Sequence, residues 1–312
     1  MDEGITKFNI MLSEELNNFS NEVSSKIYFN YDLKKSNWFN IGGKTKIYFK
    51  PDNLPDLILF LKRFGKKEKI HILGAGSNTL ISDKTFDGVV IKLGKNFANI
   101  SMLPSGIIVA GSACLDQKLS DFALENEIGN FEFLACIPGT VGGGLKMNAG
   151  CFNKEFKDIL ISIQAVDKEG RVLTIPANKV IFKYRNNDLS EDLIFLSASF
   201  KGEKKDKDKI KKEVFELKNR KNNNQPTKIK TSGSTFKNPI NQSNKKVWQL
   251  IKESVPLDTS FGDACISDKH CNFFVNKNNA SYEDMNKLIQ FVQESVKKKT
   301  GIVLEKEIKI LE

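Results

Sequence analysis

The segment Ile137–Gly150, IPGTVGGGLKMNAG, constrains the fold most. With Pro138 and glycines at 139, 142, 143, 144 and 150, it predicts neither a regular helix nor a core segment. Glycine serves where the backbone must take a positive φ or come close to another group, and N–H groups left uncovered form concavities for anions or polar ring edges. Alone, the segment is equally well an ordinary Pro/Gly loop. A second loop upstream shifts the balance. Lys69–Asp83, KIHILGAGSNTLISD, predicts a short apolar strand, a turn at Gly74-Ala75-Gly76-Ser77-Asn78, and another apolar run closed by Asp83. Its glycines expose backbone donors, and Ser77 and Asn78 add side-chain donors, a chemistry suited to a pyrophosphate. It is not the G-x-G-x-x-G fingerprint, because Asn78-Thr79 stands where the third glycine would be and no long helix follows.

The chain has 312 residues, 40% of them hydrophobic and 28% charged, enough for two or three globular domains. No apolar run is long enough to span a bilayer, and MDEGITKF has neither a basic nor an apolar leader region, so a cytoplasmic protein away from membranes is expected. Five cysteines without a C-x-x-C, beside two histidines, predict buried thiols and neither a disulfide framework nor a metal site. The net charge of +10 comes from scattered lysines. Only Lys201–Lys212 is dense, and acids interrupt it, so a solvated helix face is expected and no nucleic-acid partner. A diffuse positive field also suits substrates that carry phosphates.

Met1–Ser36 predicts an N-terminal extension with a helix around Ile10, Met11 and Leu12. Asn37–Pro51 turns at Gly42-Gly43 and then alternates as a strand, and Leu54–Phe64 has helical spacing. Further strands are expected at Asp87–Leu93, Gly106–Gly111 and Asp192–Phe200, a helix at Asp116–Asn126, and a hairpin of Ile161–Val166 with Arg171–Ile175. Composition changes at Lys201, where a charged helix to about Asn224 leads into a last region. There Lys245–Val255 predicts a helix with Trp248 inward. Ser281 is the expected N-cap of a long helix with the stripe Met285, Leu288, Ile289, Val292 and Val296, stopped by Gly301, and Ile302–Leu311 alternates as a terminal strand.

Six segments in order, NWFNIGG, LGAGSN, IPGTVGGGLKMNAG, FKYR, SGSTFKNP with HCNFFVN, and GIVLEKEI, resemble the UDP-N-acetylenolpyruvoylglucosamine reductases, the MurB family. The resemblance runs from about Ser36 to Leu311. The short spacing from Arg185 to Ser234 is similar to that of type II members. It implies an α+β chain: a FAD-binding fold of the vanillyl-alcohol-oxidase (PCMH) type in two subdomains, residues 36–93 and 94–200, plus a C-terminal α+β substrate-binding domain, 201–300. Residues 1–35 would be an extension, and the strand at 301–312 would return to the first subdomain. FAD would be held non-covalently by Gly74, Ala75, Gly76, Ser77 and Asn78 and by Pro138, Gly139, Thr140, Gly142, Gly143 and Asn148. His71 lies outside any covalent-attachment motif.

The implied reaction takes hydride from NADPH through FAD to the enolpyruvyl group of UDP-N-acetylglucosamine enolpyruvate, giving UDP-N-acetylmuramate for peptidoglycan. The resemblance casts Arg185 as the arginine facing the substrate carboxylate, Ser234 as proton donor and Glu307 as the carboxyl that supports the developing enolate. Glu305 is the alternative to Glu307, and Ser232 and Thr235 flank Ser234. Tyr184, Lys237 and Asn238 match substrate-contacting positions. A basic residue upstream of the Gly-Ser motif aligns with Arg220 or Lys221, and a monomer is expected. Three positions depart from the family: Asn187 stands where a serine is common, and Gly144 and Cys151 where alanines are usual. Two other readings remain. Another flavin oxidase of the same fold would have no reason to carry GSTFKNP or Glu307, and a non-catalytic basic nucleic-acid-binding protein would need aromatics interleaved with an uninterrupted basic stripe.

Overall fold

The computed structural model describes residues 15–16 and 18–312; the helix expected around Ile10, Met11 and Leu12 lies outside them. Lys26–Asp32 (β1) and Lys44–Lys50 (β2) pair antiparallel, with Lys26 opposite Lys50. Leu54–Phe64 (α1) follows, capped by Asn53, whose side chain accepts from the Asp56 N–H, with Pro55 in the first turn where its missing N–H goes unmissed. Ile70–Ile72 (β3), Thr79–Ile81 (β4) and Phe86–Ile91 (β5) come next. The sheet order is β1-β2-β5-β3, with β2, β5 and β3 parallel. α1 buries Leu57, Phe60, Leu61 and Phe64 against Ile47, Phe49, Val89 and Ile91, the Phe49 and Phe60 rings stacked at 4.5 Å. Each such side chain contributes about 1.5–3 kcal/mol through burial.

A second sheet is antiparallel throughout. Ile100–Met102 (β6), Ile108–Gly111 (β7), Leu160–Val166 (β8), Val172–Pro176 (β9) and Ile194–Phe200 (β10) run in the order β9-β8-β10-β7-β6. Asp116–Glu125 (α2) and Val141–Lys146 (α3) share its core, which holds Leu119, Phe131, Val141, Leu145, Phe156 and Phe200. α3 corrects the expectation that the glycine-rich segment is neither helical nor core. Thr140 caps this short helix, and Val141 and Leu145 are fully buried. Its glycines serve close packing: a Cβ on Gly142 would lie 2.9 Å from the Ser112 Cβ, and one on Gly144 would run into the Phe156 ring.

Lys207–Asn224 (α4) starts after the composition shift at Lys201, because Glu203–Lys204 first pairs with Ile128–Gly129 and Asp206 then caps the helix. It lies against the 3-10 turn Glu132–Cys136 and α2. The C-terminal core is built by Val247–Ser254 (α5), the antiparallel strands Ser260–Phe261 (β11), Ala264–Ile266 (β12) and Phe274–Asn276 (β13), and Tyr282–Thr300 (α6). Ser281 and Asp284 form a capping box on α6, its five-residue apolar stripe is fully buried, and Gly301 ends it at φ +74°. Trp248 does not point inward as expected but is 42% exposed. Val247, Leu250 and Ile251 occupy the one face α5 can bury, and residue 248 lies about 100° round the helix from 247.

The terminal strand is shorter than its alternation predicts. Only Lys309–Leu311 (β14) joins a ladder, parallel to β4, while Lys306 makes an isolated bridge to Phe236. The end of the chain is thereby wedged between the first sheet's loop and the C-terminal core, which also takes in Phe39, Ile41 and Leu80. All five thiols are free, Cys151 half-buried and the others buried. Among the described residues no helix is long and apolar enough to cross a membrane.

Candidate active site

The two glycine loops face one another. Ser77 Oγ donates to Pro138 O at 2.9 Å, and a Cβ on Gly74 would lie 2.7 Å from Thr140 Oγ1. Gly76 and Gly139 take φ of +68° and +153°, conformations that other residues adopt only under strain. A Cβ on Gly139 would lie 3.1 Å from Asp116 Oδ2 and 3.4 Å from Ser77 Oγ. The glycines therefore keep a cradle free of side chains, which fits an extended cofactor crossing from one loop to the other. Asp116 is fully buried beside it with neither carboxyl oxygen partnered, and burial pushes its carboxyl well above the usual carboxylate range. Burial thus favours the neutral carboxyl, the form that does not repel a pyrophosphate. The sequence offered no sign of this, since an acid at a helix start is usually a solvated cap.

Two of the expected cofactor contacts are used within the chain. Asn148 is fully buried, donates to Glu155 Oε2 at 3.0 Å and Lys183 O at 3.2 Å, and accepts from the Lys157 N–H at 3.2 Å. It braces the hairpin below the site and presents no amide to a ligand. The Gly142 N–H is held by Ser112 O at 2.9 Å, so this glycine provides close approach and not a donor. His71 sits in β3 and in neither loop, and burial lowers its imidazole to about 4.

A tight hairpin, Phe182–Lys183 against Asn186–Asn187, carries Tyr184 and Arg185 at its tip, with Arg185 at φ +56°. Arg185 Nε donates to Glu307 Oε1 at 3.0 Å, Nη2 donates to Gly150 O at 2.8 Å, and the guanidinium lies 5.1 Å from the Tyr184 ring centroid. The Glu307 N–H donates to Thr235 O at 2.8 Å. Asn78 binds the same segment: its Nδ2 donates to Glu307 O at 3.0 Å and its carbonyl accepts from the Lys309 N–H at 2.9 Å. The last residue of the first loop thus fixes the backbone that carries Glu307. Burial pushes the Glu307 carboxyl up, outweighing the downward pull of Arg185 and Lys237.

The structure separates Glu307 from Glu305. The Glu307 side chain is 17% exposed, whereas that of Glu305 is 70% exposed and pairs with Lys237 at 3.6 Å. It also separates the three hydroxyls. Ser232 is buried and donates to Thr79 O at 3.4 Å, and Thr235 is fully buried. Ser234 alone is half-open, bridged to Phe273 and placed by Gly233 at φ +79°. A cleft of about 500 Å³ is lined by Tyr184, Asn186, Lys237, Asn238, Gln242 and Glu305, among others. Asn238 Nδ2 donates to Tyr184 Oη at 3.3 Å, while its Oδ1 accepts from the Val247 N–H at 3.0 Å and so ties the cleft to α5. Of the two basic candidates upstream, Lys221 Nζ donates to Cys136 O at 2.7 Å and Arg220 stacks on Phe152 at 4.8 Å.

Residues 225–311 match the model for the UDP-N-acetylenolpyruvoylglucosamine reductase C-terminal domain, and residues 45–176 match a FAD binding domain. The UDP-N-acetylenolpyruvoylglucosamine reductase of Pelagibacter ubique is 80% identical over 301 residues, covering 96% of this chain and all of its own. The chain belongs to this reductase family. The corresponding reductase of Rickettsia conorii is 44% identical over 89% of this chain and 93% of its own. The crystal structure of the Thermus caldophilus MurB superposes with a TM-score of 0.79 at 27% identity, over 92% of this chain and 99% of that one. As a member of the MurB family the chain is an α+β, FAD-binding oxidoreductase.

Asn187, at the family's serine position, has a definite task in this reductase. Its Nδ2 donates to Leu145 O at 3.1 Å and Lys146 O at 2.9 Å, closing the end of α3, and its Oδ1 accepts from the Leu189 N–H at 3.0 Å. Asn187→Ala leaves these groups short of partners and is expected to cost about 2 kcal/mol. Urea unfolding of the apoprotein reads this; an unchanged midpoint would show that water replaces the amide.

Proposed function

We propose that this chain reduces UDP-N-acetylglucosamine enolpyruvate to UDP-N-acetylmuramate with NADPH, with FAD lying across the loops Gly74–Asn78 and Pro138–Gly143. When bound, FAD supplies hydride acceptance from NADPH and hydride delivery to the terminal carbon of the enolpyruvyl ether. The chain's own residues handle charge and one proton. Arg185 faces the substrate carboxylate, where charge builds as hydride arrives, and a planar guanidinium suits that group. Ser234 Oγ gives its proton to the carbon bearing the carboxylate and regains one from water. Glu307, when protonated, donates a hydrogen bond to the same enolate. Tyr184, Lys237 and Asn238 hold the nucleotide sugar in the cleft. The observation that carries the reading is the bond from Asn78 to the Glu307 backbone, which joins the first glycine loop to the Arg185–Glu307 pair.

NADPH and a nucleotide sugar are both cytoplasmic metabolites, which is the ground for placing the enzyme there. An anaerobic visible spectrum tests the reading, recorded on the FAD-loaded protein alone, after NADPH, and after the enolpyruvyl substrate. Flavin bands that bleach with NADPH and return with the substrate are expected. Return only with oxygen would favour an oxidase, and a chain that takes up no FAD would sink the reading.

A further inference from the structure

Two cysteines bracket the glycine-rich segment: Cys136 ends the 3-10 turn Glu132–Cys136 just before it, and Cys151 follows Gly150. Their backbones are far apart in sequence, yet the fold brings the thiols together. Cys151 Sγ donates to Phe133 O at 3.3 Å, and in a 3-10 turn the carbonyl of residue 133 lies next to residue 136. Lys221 completes the cluster through its bond to Cys136 O at 2.7 Å. Cys151 is also one residue from the carbonyl that anchors Arg185, Gly150 O.

We propose that Cys136 and Cys151 form a reversible disulfide that closes the glycine-rich segment into a loop and, by shifting Gly150, withdraws the anchor of Arg185. The neighbouring Cys151 side chain, aided by Lys221 and Lys218, lowers the Cys136 thiol to about 7 against the effect of burial, while the Cys151 thiol is pushed up. Cys136 is therefore the attacking thiolate and Cys151 the resolving thiol, the usual division of labour in a redox-sensitive pair. The oxidant is a peroxide. The Cys136 thiolate attacks one oxygen of hydrogen peroxide, the O–O bond breaks, and the departing oxygen leaves as water with a sulfenic acid on Cys136. The Cys151 sulfur then displaces the sulfenic oxygen as a second water, forming the S–S bond. Two thiols and one peroxide give one disulfide and two waters. The bond draws the sulfurs to about 2 Å, closer than any thiol contact, and Gly150 moves with its neighbour. A displacement of about 1 Å in a positioning group can slow a reaction 10²-fold.

The effect on catalysis rests on the role proposed for Arg185; the formation of the disulfide does not. The FAD-loaded protein is treated with hydrogen peroxide, cleared of it with catalase, and examined by peptide mass mapping and by the rate at which substrate reoxidises the reduced flavin. A Cys136–Cys151 cross-linked peptide, a rate at least tenfold lower, and recovery of both with dithiothreitol are expected. Cys151→Ala is expected to match the reduced wild type in rate and to keep that rate after peroxide, and Cys136→Ala likewise. Absence of the cross-linked peptide, or a cross-linked enzyme that turns over as fast as the reduced one, overturns the proposal. A reduced enzyme that never passes electrons to the substrate would instead overturn the proposed function, with the peptide map unaffected.

Discussion

Ser234→Ala is expected to leave FAD affinity and the rate of flavin reduction by NADPH within about twofold of wild type, and to slow reoxidation by the enolpyruvyl substrate roughly 10²–10⁴-fold, the range of a lost general acid. The asymmetry follows from position. Ser234 is half-exposed and adjoins Thr235, whose carbonyl accepts from the Glu307 N–H, and it belongs to neither glycine loop. The variant removes one oxygen and little volume, so folding should hold. A serine hydroxyl is a weak acid, but a carbon beside a carboxylate that has just gained hydride is basic enough to take its proton. Thr235 cannot substitute, because it is fully buried with its backbone locked to Asn272 and Glu307. Stopped-flow absorbance of the flavin separates the two half-reactions. Equal slowing of both would remove Ser234 from the proton-donor role.

The regular elements were legible because the cues that place them are local. The N-cap at Ser281, the stripe from Met285 to Val296 and the stop at Gly301 all belong to one helix, and each appears where its spacing puts it. Trp248 was misplaced because hydrophobicity alone does not say which face of a two-turn helix meets the core. The helix inside the glycine-rich segment was missed for a related reason. A run of glycines in sequence does not say which of them serve backbone angles and which close approach; Gly142 and Gly144 are small because Ser112 and Phe156 press on them from elsewhere in the chain. The resemblance implies Asn148 as a cofactor contact, and the fold shows its amide engaged within the chain. Asp116 gave no signal, since its isolation is created by tertiary burial. The choice between Glu305 and Glu307 was likewise a matter of which residue the chain's last crossing turns inward.

Glu307→Gln should abolish a pH dependence that the wild type shows. The folded carboxyl is raised above its ordinary value by burial, so its protonated, hydrogen-bond-donating form is present below that raised value and is lost as pH rises through it. Ionisation does a second harm. A Glu307 carboxylate competes with the substrate carboxylate for Arg185, whose Nε it already holds at 3.0 Å. The rate of flavin reoxidation by substrate should therefore fall with rising pH in the wild type. Glutamine keeps the shape, and its amide donates at every pH, so that limb should vanish. It is a weaker donor than a carboxylic acid, so the plateau should lie about tenfold to a hundredfold below the wild-type maximum. Glu307→Ala removes the donor entirely and should reach roughly 10²–10³-fold, the loss typical of one oxyanion donor. FAD reduction by NADPH supplies the internal reference in each variant, since Glu307 has no part in it. If Glu307→Gln keeps the wild-type limb, the titrating group is elsewhere and Glu307 serves only to orient Arg185.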